Sequence, residues 1–69
     1  MKILTKKQQH DIGIRLIALF KMCRSMAQEL PVNRYVEYAD KYMTCIADIA
    51  GDVGGVEMMV DVAQKGLED

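Results

Sequence analysis

Apolar residues recur along this chain with the period of a helix and nowhere with that of a strand. From Ile12 they fall at Leu16, Leu19, Cys23, Met26 and Leu30, in alternating steps of four and three, which is the seam of an amphipathic helix. Phe20 and Ala27 widen that seam. Ahead of it, Thr5-Lys6-Lys7-Gln8 has the form of a capping box, in which a threonine hydroxyl and a glutamine side chain satisfy exposed N–H groups of the first turn. Pro31 closes the segment, because the residue before a proline is driven out of the helical region. A first helix is therefore predicted over about residues 5–30, with Gly13 a weak point costing about 1 kcal/mol against alanine.

A second seam runs through Val32, Tyr35, Ala39, Tyr42, Ile46, Ile49 and Val53. At ~100° per residue, Val36, Tyr38, Met43, Cys45 and Ala47 broaden it to an apolar arc of about 200°. Arg34, Glu37, Asp40, Lys41, Thr44 and Asp48 fill the remainder. Pro31 or Asn33 is suited to open this helix and Gly51 to follow its end, so it is placed at about 32–50. Gly54-Gly55 reads as a tight connection. A third, short helix over about 55–66 has Val56, Val60, Ala63 and Leu67 as its main stripe. Met58, Met59 and Val62 widen it, Glu57, Asp61, Gln64 and Lys65 form its wet side, and Gly66 caps it. Met58-Met59 with Val62 is the expected adhesive patch. No internal repeat and no low-complexity tract interrupts the pattern.

The fold class that follows is all-α: a single domain over residues 1–69 with a long, a medium and a short helix, forming a helical bundle. The widths of the arcs add self-association to that expectation. A helix packed on one neighbour needs an apolar stripe of about 100° or a little more, and two of these three have nearly twice that. A short third helix cannot cover the excess on the other two. A homodimer or higher oligomer is expected, most simply an antiparallel bundle with twofold symmetry. Its core and interface are assigned to Leu16, Leu19, Cys23, Met26, Tyr35, Tyr42, Ile46, Ile49, Met59 and Val60.

Composition supports a folded chain and narrows its chemistry. Apolar residues are 51% and charged residues 28% of 69 positions, which excludes disorder by composition. The net charge of -1 argues against a chain built mainly to neutralise phosphates. The charge is divided, however. Residues 1–34 hold seven basic and two acidic side chains, and residues 35–69 hold two basic and eight acidic. The two halves attract, which favours register within and between protomers more than it adds stability.

No catalytic set assembles. His10 and Asp11 are sequence neighbours and so point to different faces of a helix, and Ser25 is the only serine. Neither a GxxxxGK nor a GxGxxG loop is present. One histidine and two cysteines without a CxxC do not make a closed zinc site. No cofactor and no metal is expected. Cys23 and Cys45 read as small packing residues in a reducing compartment. The segment 47–63 has the outline of a helix-turn-helix. Its second helix begins with Glu57 and no base-reading side chain, so sequence-specific DNA recognition is not expected.

The start of the chain lacks the apolar stretch of a signal peptide. The longest greasy run, 12–20, is well short of the ~20 residues of a membrane span. A cytoplasmic protein with no membrane partner is expected. Three roles fit. The leading one is a non-enzymatic protein–protein interaction module (an adaptor, regulator or inhibitor) acting as a homo-oligomeric bundle. The second is an oligomer that holds a small anionic, nucleotide-like ligand at a subunit interface through Arg34, Tyr38, Lys41 and Arg24. The third is non-specific nucleic-acid binding through Lys2, Lys6, Lys7, Arg15 and Lys21 in the basic half.

Overall fold

A computed structural model describes residues 3–29 and 34–68, with the side chains of Tyr35 and Val36 outside the description. The described chain is all-helical. Helix α1 is Lys6–Glu29 and helix α2 is Arg34–Leu67. The expected boundary at Leu30, Pro31, Val32 and Asn33 lies outside the described residues.

The start of α1 is the capping box that the sequence encodes. The Gln8 amide donates to Thr5 Oγ1 at 3.1 Å, and the Thr5 amide donates to Gln8 Oε1 at 2.9 Å. The first main-chain bond of the helix, from the Gln9 amide to the Thr5 carbonyl, follows at 2.9 Å.

The helices expected at about 32–50 and 55–66 run on into one element, α2, broken at Gly55. Gly51 does not end the second helix, and residues 51–54, expected as a connection, remain helical. Gly51 and Gly54 cost helical stability, about 1 kcal/mol each against alanine, but neither forces an end. The break falls on one residue inside α2, Gly55, with φ 79° and ψ -172°. Only glycine occupies that region without strain. It divides α2 into a long arm, residues 34–54, and a short arm, residues 56–67.

The break turns the chain sharply. A straight 34-residue helix would be about 51 Å long at 1.5 Å per residue, yet the longest dimension of the molecule is 40 Å. Residues placed equally on either side of Gly55 meet across the bend. A Cβ built on Gly51 would touch the Met59 side chain, and residues 47 and 63, and 43 and 67, line one groove. The short arm therefore runs back along the long arm.

Both arms pack on α1. The core is Leu16 and Phe20 from α1, Ile46 and Ala50 from the long arm, and Val62 from the short arm. Ile12, Ile17, Cys23, Met43 and Met58 close around it. Gly66 is buried, and a Cβ there would run into the Phe20 ring. The missing side chain of Gly66 is thus the seat for Phe20 and fixes how closely the short arm approaches α1. Gly66 was expected as a C-terminal cap; the helix instead continues through Leu67.

The short arm also presents a different face from the one expected. Val62 is fully buried, with Met58 and Met59 half-buried, so these three are not the exposed patch. Val56, Val60 and Leu67, expected as the main stripe, are exposed. The cause is Gly66: the line 58–62–66 approaches closest because one of its members has no side chain. An apolar count that omits glycine misplaces that face.

Candidate functional site

The core of this chain is small. Its buried apolar residues, among those described, are Leu16, Phe20, Ala39, Ile46, Ala50 and Val62, two of them alanines. Much of the remaining apolar surface is in the open, and it is arranged.

On α1, Leu19, Met22 and Met26 are spaced by three and four, so they share a flank. The opposite flank is occupied. Lys6, His10 and Ile17 share a groove with Glu57, Met58 and Asp61 of the short arm, and Lys21, Arg24 and Gln28 share another with Glu68. On the long arm of α2, Tyr38, Tyr42, Cys45 and Ile49 are spaced by four, three and four. Their opposite flank, through Met43 and Ala47, is the one that meets the short arm. The two free flanks therefore lie on the same side of the molecule, away from the short arm. They join at an apolar depression lined by Cys23, Met26, Tyr38, Ala39 and Tyr42.

The result is one continuous apolar face. Its six large side chains, Leu19, Met22, Met26, Tyr38, Tyr42 and Ile49, are each between 47 and 61% exposed. All six are thus about half exposed, on flanks that adjoin, and a contiguous apolar surface of this kind marks an interaction site. Both cysteines are free thiols, Cys23 half-buried beneath the face and Cys45 exposed on it.

The residues assigned to core and interface from the sequence divide cleanly. Leu16 and Ile46 are core. Cys23 and Met59 are half-buried. Leu19, Met26, Tyr42 and Ile49 belong to the uncovered face, while Val60 is exposed on the short arm. The Tyr35 side chain lies outside the described positions. Met22 was missed, although its spacing from Leu19 and Met26 places it in the same row.

Of the residues assigned to an anionic ligand, Arg34, Tyr38 and Lys41 share a flank of α2 at steps of four and three, and Arg24 stands apart. Lys41 Nζ lies 5.8 Å from the centroid of the Tyr38 ring, a cation–π contact at the edge of the apolar face. Arg24 is on the other flank of α1, where its Nη1 donates to the Glu68 carbonyl at 3.2 Å. Arg34 begins α2 and is exposed. Among the described residues, no three of His, Cys, Asp and Glu converge as a metal site. Among them too, no helix is long and apolar enough to cross a membrane. Lys6 of the basic half lines one groove with Glu57 and Asp61, and within that groove Asp61 is paired with Lys65 at 3.2 Å.

Comparison of the chain with protein-family models, with curated proteins and with solved structures finds no match.

Proposed function

We propose that this chain is a non-enzymatic helical interaction module that works as a homodimer and acts on another protein as an adaptor, regulator or inhibitor. The uncovered face built from α1 and the long arm of α2 carries the reading. A second copy suits it for two reasons. A contiguous set of half-exposed apolar side chains suits a twofold interface, in which the same patch is used on both sides. Among the described residues only six apolar positions are buried, and chains below about 70–80 residues are commonly strengthened by a staple or a partner. No disulfide links the two cysteines, both free thiols.

The charge and chemistry of the face agree. Tyrosine and methionine dominate it, and both are enriched where proteins meet. Lys41 lies beside the face against Tyr38, where a polar rim belongs. Of the residues named for a small anion, Arg24 stands apart on the other flank of α1, where it holds the Glu68 carbonyl, so the interaction reading draws on more of the face.

The test is Tyr42→Glu, which places a charge in the middle of the face at a side chain that is itself exposed. Sedimentation should show the mass of the variant halved relative to the parent, with its helical circular-dichroism spectrum kept. A variant that still sediments as the parent does would remove this face from the interface.

A further inference from the structure

The molecule has a second apolar surface, on the side away from the dimer face. We infer that the groove between the long and short arms of α2 receives a cationic amphipathic helix from a partner protein. It is an interaction site additional to self-association, and it stands on different residues.

The groove has a volume of about 410 Å³, with Met43 and Met59 among its lining residues. Ala47 and Ala63 also line it, and their small side chains leave its floor shallow. Val56, Val60 and Leu67 stand along the short arm, between 46 and 72% exposed. Methionine is the side chain best able to fit a partner's irregular surface. From Asp40 to Asp48 the long-arm wall of the groove is about 12 Å long at 1.5 Å per residue. That length lies along about two turns of a helix, in the manner of helix-in-groove recognition.

Charge sets the kind of helix. Two carboxylates, Asp40 and Asp48, stand on one wall, and no basic side chain lines the groove. The hydroxyl of Thr44, between them, donates to the Asp40 carbonyl oxygen at 3.0 Å and so is spent within α2. Residues 35–69 as a whole carry eight acidic and two basic side chains. A helix with leucine-like residues along one face and lysine or arginine beside them matches both the floor and the wall. An acidic helix would meet like charge, which disfavours wrong partners.

The full chain is titrated with a 15-residue peptide carrying leucine at helical i, i+3/i+4 spacing and lysine on the flanks. The same peptide with glutamate for lysine is the comparison. The lysine peptide should bind once per chain, weaken as salt is raised, and outbind the glutamate peptide at least tenfold. Asp40→Lys with Asp48→Lys should weaken the lysine peptide at least tenfold. Asp11→Lys with Glu29→Lys, an equal change of charge on exposed positions of α1, should weaken it much less.

Equal losses in the two double variants, equal binding of both peptides, or no saturable binding would overturn the inference. A change of sedimenting mass in the Asp40/Asp48 variant would assign the groove to a second copy instead and would also overturn it. The monomeric Tyr42→Glu chain should still bind one lysine peptide, so failure of the dimer and failure of the groove are read separately.

Discussion

At the scale of single residues, Gly66 and Phe20 decide how the short arm is seated. Gly66 has no side chain where the Phe20 ring lies against its backbone. Gly66→Ala improves helix propensity by up to about 1 kcal/mol, but it inserts a methyl group into a filled core, which costs about 1–3 kcal/mol. A net loss of stability is expected in urea unfolding. Phe20→Leu, which shrinks the obstructing ring, should recover part of that loss when combined with Gly66→Ala. Additive effects of the two substitutions would place them out of contact. The sequence did not disclose this pair. A glycine near the end of an apolar run reads first as a cap, and only the approach of another element shows it to be a packing residue.

The elements were legible where local chemistry decides them. Thr5 and Gln8 mark the start of α1 because their reciprocal hydrogen bonds need no tertiary contact. The apolar seam marked its extent. Where two neighbours compete for one helix, the seam misled. Leu16, Leu19 and Met26 lie in one row of the sequence, but the long and short arms together draw the core of α1 toward Gly13, Leu16 and Phe20. Leu19 and Met26 are left outside. The turn between the arms was legible as Gly54-Gly55 but not its economy, since one residue makes the reversal and residues 51–54 stay in the helix. Gly55 tests this cleanly, because nothing lies within 4 Å of where its Cβ would be. Gly55→Ala therefore probes the backbone alone. It should destabilise the fold by about 1–3 kcal/mol, the range for a residue held in a sparsely populated region. A neutral or stabilising Gly55→Ala in urea unfolding would show that the arms do not need this reversal.

For the molecule as a whole, the broad arcs of the sequence and the uncovered face of the structure are the same surplus seen twice. The surplus was legible because an arc width is a local count. Its division into two surfaces was not, because that depends on which flank of each helix the short arm occupies. One surface joins α1 to the long arm of α2 and is assigned to a second copy; the other follows the groove between the arms and is assigned to a cationic helix. The most direct measurement is sedimentation equilibrium of the unmodified chain across micromolar concentrations. A mass twice the 7.8 kDa of one chain is expected, falling toward the single-chain value on dilution. A cooperatively folded species that stays at 7.8 kDa throughout would contradict it.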